Sequence, residues 1–112
     1  MQTLRDRLAH GGGDGAPVPE YALTLVEGVV EHRDRIDEII STYAEGWTLD
    51  RMPVVDRAIL RIAMYELLWC TDIPDAVAID EAVELAKLLS TDESPRFING
   101  VLGRVVLVKP AV

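Results

Sequence analysis

One stretch limits what this chain can become: Pro53 to Cys70, PVVDRAILRIAMYELLWC. It is too long for a strand, and its apolar side chains fall on nearly every side of a helix that advances about 100° per residue. A surface helix confines its charges to one face. Here Asp56, Arg57 and Arg61 share one wedge, whereas Glu66 stands on the far side among Ile62, Ala63, Trp69 and Cys70. The pattern predicts a central helix wrapped by others, with Asp56 on its outer wedge and Glu66 in the core. The expected partner of Glu66 is an Arg or the free backbone donors of a helix end. Arg61 and Glu66 interrupt the run too often for a membrane span, which needs about 20 apolar residues.

The remaining residues must supply the wrapping. A chain of 112 residues makes one domain, and with 49% apolar residues it has the material for a core. Eleven basic against nineteen acidic residues give a net charge of −8. That is the wrong sign for a protein that grips nucleic acid mainly through phosphates. The Arg residues are scattered, with no run. Cys70 is the single cysteine, so no internal disulfide forms. Without basic neighbours it reads as a small buried hydrophobe rather than a reactive thiol. The first residues are charged and then glycine-rich, unlike a signal peptide, and the chain reads as cytoplasmic.

Residues 2–9, QTLRDRLA, have the spacing of a short helix, with Leu4 and Leu8 one turn apart. Gly11 to Gly15, GGGDG, lacks the Lys-Ser/Thr ending of a phosphate-binding loop and reads as a linker. Residues 1–19 are therefore expected to be a weakly ordered lead-in, 20–46 the N-terminal helices and 53–108 the C-terminal helices of the single domain 1–112. From Glu20 the spacing of Ala22, Leu25, Val26 and Val29 is that of an amphipathic helix. A second set follows with Ile36, Ile39, Ile40, Tyr43 and Ala44. Between them the charges pair at i,i+4, Glu31 with Arg35 and Arg33 with Asp37, on a solvated face. His32 lacks a second ligand at metal-binding spacing and reads as a surface residue. Gly46 is placed to stop the second helix.

After Cys70, TDIPDAVA reads as extended around Pro74. The next helix puts Ile79, Ala82, Val83, Ala86 and Leu89 inside and Asp80, Glu81, Glu84 and Lys87 outside. Ser94 is the expected N-cap of a last helix, with Pro95 at its first position. That helix buries Ile98, Val101, Leu102 and Val105. Gly100 and Gly103 weaken it, so close helix contact is expected there. No strand pattern appears, and the fold class is all-α. No Ser-His-Asp, Cys-His or metal-ligand set is suggested, and no cofactor motif. Glu66 alone among the carboxylates looks buried, so paired carboxylates with separated pKa values are not indicated. The chain does not read as an enzyme.

Three motifs in order, GWTLDRMPVVDRAILRIAMYEL, IPDAVAIDEAVELAK and STDESPRFINGVLGRV, resemble the NusB family of bacterial transcription antitermination factors, in its actinobacterial branch. The resemblance spans roughly Tyr21 to Val108. It implies a NusB-like helical bundle, two small helical subdomains sharing a central helix. It also implies that the chain pairs with ribosomal protein NusE, holds boxA RNA and acts in the RNA polymerase antitermination complex during ribosomal RNA transcription. Carried over by position, the RNA-facing end of the last helix is Glu93, Ser94, Arg96 and Phe97. Physics agrees in part: Arg96 can meet phosphate and Phe97, the only Phe, can stack on an unpaired base. The apolar neighbours Ile98 and Val101 make a core Phe97 the competing reading. The protein-partner interface implied by the resemblance is Asp56 and Glu81, acidic groups facing a basic protein. For Asp56, helix-end electrostatics is the plain alternative.

Family members normally begin with an Arg-rich helix that contacts RNA, and Met1 to Ala9 resemble the segment that follows it. Without that helix Leu25, Val26 and Val29 are expected to be under-covered, or covered by a second copy in a homodimer. RNA binding in the absence of NusE is expected to be weak or absent. Two other readings stay open: the NusB-like domain of an RNA cytosine methyltransferase, whose glycine-rich cofactor loop is not found here, and a plain helical interaction module.

Overall fold

The computed structural model describes residues 20–112, and the short helix and glycine-rich linker expected before Glu20 lie outside them. Five α-helices follow one another: α1 (Glu20–Glu31), α2 (Arg33–Tyr43), α3 (Val54–Leu68), α4 (Asp75–Leu89) and α5 (Ser94–Val108). A single 3-10 turn, Leu49–Arg51, precedes α3. Among the described residues there is no strand, and no helix is long and apolar enough to cross a membrane.

Helix α3 is the inner rod. It packs against all four of the other helices, α1, α2, α4 and α5, with α4 and α5 forming the most extensive pair. Ile59, Leu60, Ala63, Met64 and Leu67 are buried along it. Pro53 is the N-cap residue of α3, and Pro74 that of α4. A proline loses nothing at a helix start, where its missing N–H would have no partner. For this reason the helix begins at Asp75 directly after Pro74, and DAVA is helical rather than extended.

Helices α1 and α2 meet at a single non-helical residue, His32 (φ −106°, ψ 16°). The hydrogen bonds run through the joint, His32 N–H to the Gly28 carbonyl and Ile36 N–H to the His32 carbonyl. Close approach of α1 to α3 requires Gly28: a Cβ there would lie 2.2 Å from Cζ of Tyr65. Gly46 adopts φ 79° after α2, the left-handed turn that ends helices. The expectation for α5 does not hold. A Cβ at Gly103 meets nothing, and one at Gly100 meets only the side chain of Arg104, so neither glycine serves a helix contact.

The core of α5 is as expected, with Ile98, Val101, Leu102 and Val105 buried. In α4 the buried set is Ala78, Ala82, Leu85 and Ala86. Ile79 and Val83 are half-buried, Leu89 is exposed, and Glu81 and Glu84 are half-buried rather than outward. The stripe is rotated because α4 touches both α3 and α5, and contact on two sides covers flanking residues as well. On α1, Leu25 is buried, Val29 half-buried and Val26 56% exposed. Of the three residues expected to lack cover, Leu25 and Val29 are covered by the core and only Val26 stands open, lining an apolar groove with Val54, Ala58 and Leu89.

Charges organise around the same rod. Arg61 of α3 grips Asp37 of α2 with Nε and Nη2, 2.8 and 3.1 Å away, a two-point pairing of guanidinium and carboxylate. Arg33 also lies 3.7 Å from Asp37, as its spacing predicts. Arg35 pairs with Glu38 instead of Glu31 and donates to the Ala111 carbonyl. Lys109, in the left-handed region at φ 49°, closes α5 and ties it to the Leu67 carbonyl and to Asp75.

Candidate RNA-facing site

The turn between α4 and α5 lies against the start of α3. A cavity of ≈ 420 Å³ opens there, lined by Trp47, Met52, Pro53 and Phe97 and by buried Asp56. Thr91, Glu93, Ser94 and Arg96 complete it. Trp47 follows Gly46, whose left-handed turn carries the chain away from α2; the indole is 51% exposed. It meets half-buried Phe97 edge-on, with ring centroids 6.0 Å apart and planes at 61°. Phe97 packs against the core on one side and walls the cavity on the other. The core reading of this residue is therefore met in part, and its other side is open to the cavity.

Asp56 was expected on the outer wedge of α3. It is 3% exposed. The α4–α5 turn folds over it, and Ser90 Oγ donates to its Oδ1. Behind Ser90 stands Ser94 Oγ at 3.0 Å, and behind that Thr91 Oγ1 at 2.7 Å. The proton order follows from valence. A carboxylate only accepts, and each hydroxyl has one proton to give. Ser90 spends its proton on Asp56, Ser94 gives to Ser90, and Thr91 gives to Ser94. Among the described residues no donor reaches Asp56 Oδ2.

Ser94 was expected to cap α5. The residue in the N-cap position is Glu93, and it makes no side-chain capping bond. Ser94, 1% exposed, turns its hydroxyl inward to the relay and accepts the Thr91 N–H at 3.3 Å. Its buried hydroxyl acts on the site through Ser90. Glu93 and Arg96 are exposed in the lining, and Arg96 makes no ion pair among the described residues. Asp56 thus joins Glu93, Ser94, Arg96 and Phe97 in one place, where the sequence suggested two separate faces. Trp47, Met52 and Ser90 belong to this site and were missed. A large exposed aromatic in a connecting segment was the one signal available for them.

Glu81 does not line the cavity. It sits on α4 close enough to Glu66 for its charge to raise the Glu66 pKa. Glu66 is buried, as expected, but its partner is neither an Arg nor a helix end: Tyr21 Oη donates to it over 2.6 Å. Burial is the main reason its pKa is raised, and the Tyr21 bond acts the other way. Nearby, His32 is half-buried rather than on the surface. Its ring stacks on Trp69 at 4.7 Å and on Tyr65 at 6.1 Å. Cys70 is half-buried, and burial pushes its thiol pKa up to about 11. No group of three His, Cys, Asp or Glu side chains that could hold a metal ion occurs among the described residues.

Four helices around one inner rod, with an aromatic-walled cavity at the start of that rod, define a small all-helical domain. The NusB family model matches residues 5–107, and the chain belongs to that family. It is 67% identical over 96 residues to a protein of Saccharopolyspora erythraea named transcription antitermination protein NusB, covering 85% of this chain and 65% of the relative. Proteins of the same name from Kineococcus radiotolerans and Streptomyces avermitilis are 55% and 56% identical, covering 97% and 100% of this chain and 78% and 79% of theirs. A solved structure of T. maritima NusB superposes with a TM-score of 0.75 at 48% identity, over 79% of this chain and 62% of that one. The chain thus spans about 65% of the length of the first of these relatives.

Proposed function

We propose that this chain acts in transcription antitermination as an adaptor that pairs with ribosomal protein NusE and, with it, holds boxA RNA. The observation that carries the reading is the cavity of Trp47 and Phe97 with exposed Arg96 in its lining, free of ion pairs among the described residues. Single-stranded RNA is recognised by stacking its unpaired bases on aromatic rings, with cations on the phosphates. With a net charge of −8 the chain has little general attraction for RNA. A basic partner offsets that deficit, and acidic side chains such as Glu81 suit its docking. Asp56, being buried, contributes to the lining of the cavity rather than as an open contact to NusE. The reading is tested by filter binding of a boxA oligonucleotide at several salt concentrations, with and without NusE. Tight binding is expected with NusE, and weak or no binding without it. Failure of NusE to associate, or equal retention of a scrambled RNA by the complex, overturns it.

A further inference from the structure

We propose that the cavity is a base-reading pocket in which Asp56 selects a nucleobase presenting two adjacent N–H donors, guanine ahead of the other three. This deepens the RNA reading and rests on it. The volume, ≈ 420 Å³, lies within the roughly 300–1,000 Å³ common for small-molecule pockets. Its walls are aromatic, and every base has a face to stack on them, so the walls alone do not discriminate. Discrimination needs a polar group held away from water, and of the two carboxylates in the lining Asp56 is the buried one while Glu93 is exposed.

Asp56 is 3% exposed and lines the cavity. The relay from Thr91 through Ser94 and Ser90 delivers one proton to Oδ1. Oδ2 has no donor among the described residues. A buried carboxylate left short of donors is costly, and a ligand that supplies them is favoured. A carboxylate can only accept. The Watson–Crick edge of guanine offers N1–H and an N2 amino group side by side, matching two carboxylate oxygens. Adenine and cytosine place a ring-nitrogen acceptor beside their single amino group. Uracil flanks its one N–H with two carbonyls. Those neighbouring acceptors face the carboxylate and repel it. Arg96, exposed in the lining and without an ion pair among the described residues, is the cation available to the phosphate of a bound nucleotide.

The test is a titration of the 15N-labelled chain with GMP, AMP, CMP and UMP in turn, followed through its two indole N–H signals. Trp69, in the His32 stack, reports the fold, and Trp47 reports the cavity. GMP should move the Trp47 signal with about tenfold tighter apparent affinity than UMP, leaving Trp69 in place. In Asp56→Asn that preference should vanish. Equal affinity for all four nucleotides overturns the proposal while leaving RNA binding by the NusE complex intact. A Trp47 signal that ignores nucleotides but responds to N-acetyl-arginine amide also overturns it, making the cavity a seat for a partner protein's cation. Guanine preference retained in Asp56→Asn does so too. If the variant does not fold, the ranking of the four nucleotides on the unaltered chain decides.

Discussion

Tyr21 at the start of α1 donates its hydroxyl to Glu66 near the end of α3, 2.6 Å away and 45 residues along the chain. This bond joins the N-terminal helices to the inner rod at a point where a carboxylate is removed from water. Burial raises the Glu66 pKa above its ordinary 4.5 and the Glu81 charge adds to that; the Tyr21 bond opposes both. A carboxyl group with a raised folded-state pKa favours the fold most when protonated. Its contribution is full below about pH 4.5 and is lost as pH climbs through the raised value.

Removing the phenol oxygen should therefore cost stability and steepen that loss. Tyr21→Phe is expected to destabilise the fold by about 1–3 kcal/mol, the cost of leaving a buried acceptor without its donor. The deficit should be larger at pH 8 than at pH 5, read from urea unfolding midpoints. Glu66→Gln should instead lose stability less steeply between those pH values than the unaltered chain. Identical pH profiles for all three proteins would show that Glu66 does not titrate in this range.

The two kinds of glycine should respond with opposite signs. At Gly28 an added methyl would fall 2.2 Å from the Tyr65 ring. Gly28→Ala should cost about 1–3 kcal/mol of overpacking despite alanine's better helix propensity. At Gly103 nothing lies within 4 Å of the added carbon. Gly103→Ala should stabilise α5 by about 0.5–1 kcal/mol. Thermal unfolding followed by circular dichroism distinguishes the two, and a gain for Gly28→Ala would contradict the close approach of α1 to α3.

The lone thiol should be sluggish. Burial, with smaller contributions from Glu66 and Asp72, lifts Cys70 from 9.0 to about 11. At pH 8 its thiolate fraction is then about a hundredth of that of a free cysteine. Ellman's reagent should react about 100-fold more slowly with the folded chain than with the chain in urea. Equal rates would mean the thiol is open to solvent.

Substitutions at the cavity should divide into stacking and charge. Phe97→Ala and Trp47→Ala should each weaken boxA RNA binding by the NusE complex by about 1–3 kcal/mol, the worth of a stacked base. Arg96→Ala should weaken all RNA sequences alike and lower the salt slope by about 0.7, one single-strand phosphate contact. Fluorescence anisotropy across a salt series reads both. If Arg96→Ala changed sequence preference but not the slope, its assignment to phosphate would fail.

Periodicity alone placed α3 at the centre, with Glu66 inside it, Gly46 at the end of α2 and the buried face of α5. These are legible because a burial pattern repeats every turn and is written in consecutive residues. It did not show which side of Asp56 would be covered. On a helical wheel Asp56 belongs to the charged wedge with Arg57 and Arg61, and only the fold of the α4–α5 turn over it takes it out of water. For the same reason Ser94 looked like a cap and is instead a link in the hydroxyl relay.

The order and character of the helices were set by the sequence, because apolar spacing, prolines and glycines act on their own neighbours. The glycine pairs show the limit of that local logic: Gly28, unremarked in its helix, is required by Tyr65, while Gly103 is required by nothing within reach. Tertiary structure alone brought Trp47, Asp56 and Phe97 to one cavity, set Ser90 against Asp56 and gave Glu66 a tyrosine for a partner. Such meetings depend on how separate segments pack across tens of residues, and no short-range pattern encodes the distance between two side chains that far apart.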